Sequence, residues 1–220
     1  MGSMRRVVIL CSTLLLTACG TASLLGSGPS VHEERITEKG GAFSIEVRYP
    51  VLSGYPKTVL DIANQQLRAT TEDRIAEFKR STGALPPDGP AGDSTLTMSS
   101  ETTLLSPHVA SFLFTASSRL KGAANPNRFS VSLTLDMDRG VPIEFKDLFQ
   151  NADVALPVIA QVIDPKNPSP VAWEDLAVFT LGNDGVTVLP GTLGQEKGIL
   201  IMMDILRPLL SERGTLVFGN

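Results

Sequence analysis

Cysteine, histidine and aromatic residues are all scarce in this chain. Two cysteines in 220 residues exclude a disulfide-stapled scaffold and a multi-cysteine metal cluster. Two histidines leave little for histidine-rich catalysis. Positive charge is also short: 19 Lys and Arg stand against 23 Asp and Glu, a net charge of −4. That balance excludes a nucleic-acid binder with a broad basic face. The familiar chemical signatures are missing too. There is no Gly-x-Ser-x-Gly nucleophile elbow, no Walker loop and no Gly-x-Gly-x-x-Gly after a strand. What remains, 42% hydrophobic and 19% charged residues, is neither disordered, collagenous nor coiled coil. It describes a globular body long enough to bury a core.

The amino-terminal segment carries an address. Arg5 and Arg6 precede an apolar run from Val7 to Leu16, interrupted only by Ser12 and Thr13. Such a run is too short to span a bilayer and suits a secretory signal. It ends in Leu16-Thr17-Ala18-Cys19, which resembles the bacterial lipobox, where a diacylglycerol joins the cysteine thiol before cleavage on its amino side. The expected organisation is a signal peptide over 1–18, then a lipidated Cys19 and flexible tether over 19–41, then one domain over 42–220. Ordinary secretion, or an apolar amino-terminal helix on a cytosolic protein, are the alternatives. On the lipobox reading the chain is extracytoplasmic and held in the cell envelope by acyl chains of the palmitate type. Two chains suffice for stable attachment, and an acidic body needs them on an anionic leaflet. Gly20 after the cysteine, in place of the aspartate that retains many lipoproteins at an inner membrane, points to the outer membrane if the source has two.

Along the tether, Gly20 to Pro29 is small and His32 to Lys39 is charged, which reads as solvated chain. Phe43, Ile45, Val47 and Tyr49 alternate with polar residues, the period of a half-buried strand. From Val59 to Phe78 the apolar residues recur at helical spacing, predicting an amphipathic helix that Gly83 stops. Residues 84–93, rich in proline and glycine, read as a loop. Strands are expected over Thr95–Leu105, Val109–Leu120 and Arg128–Met137. Their Ser/Thr-rich outer faces suggest an antiparallel sheet open to water on one side. A helical turn at Phe145–Phe149 and a buried helix at Val154–Ile163 follow. A hairpin is expected around Asn183-Asp184-Gly185, then a strand at Ile199–Met203 and a closing helix at Ile205–Arg213. The fold class is α+β, an antiparallel sheet with one long amphipathic helix and short helices packed on one face.

Few residues suggest chemistry. His32-Glu33 begins like a zinc-protease helix, but Ile36 holds the second histidine position, so a solvated residue is the better reading and no metal is expected. His108, after Pro107, reads as a turn residue; it becomes a general base only if a serine and a carboxylate converge on it. Asp136-x-Asp138 departs from a calcium loop, because Gly140 falls early and Asp147 stands where a glutamate is needed. Glu174 and Asp175 are adjacent and read as surface charges. Trp173, the single tryptophan, reads as a binding anchor or as half-buried packing beside Val171 and Leu176.

Several motifs together resemble a known family. Gly122-Ala123-Ala124-Asn125-Pro126 lies between strands, Leu135-Asp136 ends the second, and Asp147-Leu148-Phe149 makes the next turn. Leu156-Pro157-Val158-Ile159, Leu176-Ala177-Val178-Phe179 and Asn183-Asp184-Gly185-Val186 follow. Over roughly residues 43–213 the chain is similar to the extracytoplasmic domain of the RsiV-type lysozyme-sensing anti-sigma factor and of a mycobacterial secreted immunogenic protein, a domain of unknown function. The Tyr49-Pro50 strand end and following helix are similar to the companion segment that precedes this domain and also occurs in a peptidoglycan deacetylase. The family's turn histidine is Asn125 here and its second glycine is Ala123. Its Ala-Ala-Gly loop before the last strand is replaced by residues 193–198. A ligand or base role for the turn histidine is therefore absent from this chain.

The lipobox, the tether and the missing catalytic constellation point to a non-catalytic binding module without cofactor. Its ligand would be a lysozyme-like protein or peptidoglycan, and its candidate surface Asn125, Pro126 and Trp173. The alternatives are a carboxylesterase-type hydrolase, which needs Ser106 or Ser111 near His108, and a purely structural envelope lipoprotein.

Overall fold

The computed structural model describes residues 28–83, 93–166, 171–189 and 198–219. The signal peptide, Cys19 and most of the three loops over 84–93, 165–170 and 193–198 lie outside these residues. The first described element corrects the tether. Ser30–Lys39 is a strand, β1, paired antiparallel along its whole length with β2 (Phe43–Ser53). Charged residues dominate both faces of β1, so it lacks the alternation that marks a half-buried strand. It is an edge strand, and its ladder to β2 supplies the order that its composition conceals.

After β2 comes helix α1 (Lys57–Gly83), then β3 (Ser94–Leu105), β4 (Val109–Arg119), β5 (Asn127–Asp136) and a two-residue β6 (Val141–Pro142). The six strands lie side by side in chain order. All neighbours are antiparallel except β2 and β3, which run parallel. A parallel pair needs a long crossover, and α1 provides it. The helix buries Ala63, Leu67, Thr71, Ile75 and Phe78 at intervals of three and four. They meet Ile45, Val47, Leu96, Met98, Phe112, Phe114 and Leu135 on one face of the sheet to form the first core.

The α+β class holds, with two sheets. The second is β7 (Phe179–Gly182), β8 (Gly185–Val188) and β9 (Ile199–Met202), antiparallel throughout. It builds a second core with α2 (Ala152–Ile163), α3 (Met203–Leu206) and α4 (Glu212–Phe218), so the short helices join the small sheet rather than α1. Asn151 caps α2 by accepting the N–H groups of Asp153 and Val154. The single closing helix expected over Ile205–Arg213 is broken instead. Leu210 bridges to Phe149 and Ser211 restarts the chain as the cap of α4.

The small sheet changes the expected water-facing side of the large one. Side chains alternate across β4 and β5, so Ser111, Ser132 and Thr134 point away from the α1 core. There β7 meets them edge-on. Ser132 Oγ accepts the N–H of Phe179 at 2.9 Å and Ser111 Oγ that of Leu181 at 3.0 Å. Ser111 and Thr134 are fully or almost fully buried. Only the other end of this face, with Thr97, Ser99 and Thr115, stays exposed as the sequence suggests.

Candidate functional site

Trp173 opens a single turn of 3-10 helix, Trp173–Leu176, closed by the Asp175 carboxylate accepting the N–H of Ala172. The ring is half-buried. Its centroid lies 5.9 Å from both Phe145 and Phe149, and Phe145 stacks on Phe179 at 5.0 Å. Phe145 is presented by the turn Phe145–Leu148 that directly follows β6. Phe145, Trp173 and Phe179 border a cleft of about 380 Å³ whose other walls include Ser132, Thr134 and Pro142. Glu144, Lys146 and Glu174 form its charged rim. Lys146 Nζ contacts Glu144 at 2.7 Å, and that hydrogen bond pushes its pKa up. Trp173 is thus half-buried packing on the second core, and it also borders this cleft.

Asn125 and Pro126 are exposed in the turn that leads into β5. Asn125 borders a second groove, of about 490 Å³, on the α1 side of the sheet. Its apolar walls are Phe78, Leu96, Leu120, Phe129 and Val131, and its polar rim includes Arg74, Glu77 and Asn127. The structure thus does not bring Asn125 and Pro126 to Trp173. They stand at opposite ends of β5 and on opposite faces of the sheet.

The hydrolase arrangement is incomplete. His108 Nδ1 lies 3.1 Å from Asp138 Oδ1, so a histidine–carboxylate pair exists. Ser106 does not complete it, because its Oγ accepts the N–H groups of His108 and Val109 and so closes the turn. Ser111 Oγ is buried and bonds to Thr134 Oγ1 at 3.0 Å and to Leu181. Among the described residues no hydroxyl bonds to His108 Nε2. Asp136 is engaged by Arg213 at 2.7 Å and by the N–H of Asp138, the geometry of a structural turn. Glu174 and Asp175 point apart, one to the cleft rim and one to the Ala172 backbone. His32 is an exposed residue of β1 opposite Val51. Among the described residues no three His, Cys, Asp or Glu side chains cluster to hold a metal. No described helix is long and apolar enough to cross a membrane.

What sequence reasoning missed is the edge between the two clefts. Strand β6 covers only Leu135 and Asp136, and among the described residues no strand pairs with the outer side of β5 from Asn127 to Leu133. One signal was available: residues 102–135 contain no aspartate or glutamate but do contain Arg119, Lys121 and Arg128.

No family model and no curated protein matches the chain. Two solved structures share its fold. One is a member of the DUF3298 family from Bacteroides fragilis, at 16% identity and a TM-score of 0.54, covering 86% of this chain and 96% of the other. The second is a DUF3298 family protein from Pseudomonas aeruginosa, at 12% identity and a TM-score of 0.54, covering 87% and 98%. At these identities, the chain is similar to the DUF3298 proteins in its fold.

Proposed function

We propose that this chain is a lipid-anchored cell-envelope protein whose domain binds a protein or cell-wall glycan outside the cytoplasm without transforming it. The observation that carries the reading is the Trp173 cleft. An aromatic floor with a few polar groups at its rim is the usual make-up of a recognition site, and a tryptophan anchored on one side offers large contact area at low entropic cost. The indole N–H bonds to no group among the described residues, so it is available to a ligand. The anchor rests on the Leu16-Thr17-Ala18-Cys19 motif of the sequence.

Because the chain has one tryptophan, intrinsic fluorescence reports on this cleft alone when the ligand is a glycan; lysozyme has tryptophans of its own, so its binding is followed by calorimetry. Titrating the full chain in detergent with lysozyme and, separately, with soluble peptidoglycan fragments should give a saturable change for one of them. Calorimetry on Trp173→Ala should show that binding weakened. No response to either ligand would remove the reading. The anchor has its own test: cells grown with labelled palmitate should label the chain, and Cys19→Ser should abolish the label.

A further inference from the structure

We propose that the open edge of β5 docks an extended peptide strand whose side chains alternate between acidic and apolar. The proposal rests on the binding-module reading and names the chemistry of a protein ligand for it.

Consecutive residues of a strand direct their backbone groups to opposite sides. Thr134 offers its carbonyl to Ile143 on the β6 side, and Met137 donates to His108 on the β4 side. By the same alternation Arg128, Ser130 and Ser132 direct their N–H and C=O groups outward, where no described strand receives them. Such an edge is a template for another strand, and proteins normally guard it with charge or proline. The opposite edge of this sheet is guarded in that way, since β1 reads Ser-Val-His-Glu-Glu-Arg-Ile-Thr-Glu-Lys. The β5 edge reads Asn-Arg-Phe-Ser-Val-Ser-Leu, with one charge and no proline. From Asn127 to Thr134 it offers about 24 Å of strand.

The two faces of the sheet then set the side chains of the incoming strand. On the α1 face every second residue falls into the groove walled by Phe78, Leu120, Phe129 and Val131, which calls for apolar residues. On the other face the intervening residues lie beside Arg128 and the Ser130 hydroxyl, the Ser132 hydroxyl being already engaged by the N–H of Phe179. The hairpin that ends in this edge carries Arg119, Lys121 and Arg128, none of which forms an ion pair among the described residues. In a chain of net charge −4, this is a local basic element, and it calls for carboxylates. Main-chain bonds would supply affinity and the alternate pockets specificity.

The test uses the full chain in detergent and a capped octapeptide of alternating glutamate and valine, followed by fluorescence anisotropy. Saturable binding is expected. An analogue N-methylated at every second residue, in the register that faces β5, should bind about tenfold more weakly or worse, since each lost main-chain bond counts for roughly that factor or less. Replacing glutamate by lysine should also weaken binding. Ser130→Pro removes an outward donor that no described residue receives and is tolerable on an edge strand. It should lower affinity while circular dichroism stays native; if that variant unfolds, the N-methylated peptide on the unaltered chain decides. Equal binding of the methylated and unmethylated peptides would overturn the proposal. So would lysozyme or glycan binding at Trp173 with no octapeptide binding, which leaves the binding module standing. No binding of any of the three would sink both.

Discussion

Ser111 Oγ stands 3.0 Å from the backbone nitrogen of Leu181, a contact between residues 70 apart in sequence that joins the two sheets. The same oxygen lies 3.0 Å from Thr134 Oγ1, and all of it is buried. An edge strand that ends against the face of another sheet has N–H groups with no ladder partner, and a serine hydroxyl is the smallest side chain that can receive one. Ser111→Ala leaves both the Leu181 N–H and the Thr134 hydroxyl short of a partner. We expect a loss of about 1–3 kcal/mol, read as a lower urea midpoint with an unchanged slope. Ser111→Ala should leave any ester hydrolysis by the preparation unaltered, because the hydroxyl is sealed from solvent.

The second tie between the cores is ionic. Arg213, in α4, reaches Asp136 at the end of β5 at 2.7 Å, and the Asp136 side chain is only 11% exposed. Its other oxygen accepts the N–H of Asp138. Removing one partner of a nearly buried pair is costly because it strands the other. Arg213→Met is expected to destabilise by about 1.5–3 kcal/mol, the range for a charged hydrogen bond. The double variant Arg213→Met, Asp136→Asn should recover part of that loss. Three denaturation curves, of the parent chain and the two variants, check the pair.

The three central strands and the long helix were legible because their apolar residues keep one period. Arg128–Met137 was expected where Asn127–Asp136 forms, and Val59–Phe78 lies inside α1. Strand β1 was not legible, since Glu33, Glu34 and Arg35 give no face to an edge strand held by backbone pairing. The buried role of Ser111 and Thr134 was also hidden: a hydroxyl facing water and one facing a buried N–H look alike in sequence. At the site, the half-buried packing of Trp173 could be read from its neighbours Val171 and Leu176. The open β5 edge could not, because it depends on β6 ending after two residues. That is a fact of non-local pairing.

Tyrosine titration offers a pH test. The chain has two tyrosines. Burial pushes the Tyr55 phenol up to about 12, with its hydroxyl donating to the Ser106 carbonyl at 2.7 Å. Tyr49 is also raised, first by its hydrogen bond to Glu34 and then by burial. Absorbance at 295 nm should therefore show little phenolate at pH 10 in the folded chain and a normal step near 10 in urea. The sign for stability follows from linkage. Both groups hold their protons more tightly when folded, so their contribution is complete below pH 10. For Tyr55 it is lost as pH rises through about 12. A folded-state step near 10 carrying both tyrosines would contradict the burial of Tyr55.

Gly185 tests the hairpin. It follows Asn183 and Asp184 at the start of β8 and has a φ of 149°, a backbone angle that side chains rarely adopt. A Cβ there would come within 2.1 Å of the carbonyl oxygen of Ile201 in β9, and that carbonyl is backbone within a ladder and cannot step aside. Strain and overpacking add, so Gly185→Ala should cost about 2–5 kcal/mol. Gly41→Ala is the control, because nothing lies within 4 Å of its added carbon. It should shift the urea midpoint little. If the two variants melt alike, β9 does not pack over Gly185, and the three-strand ladder that supports the Trp173 side of the molecule would have to be redrawn.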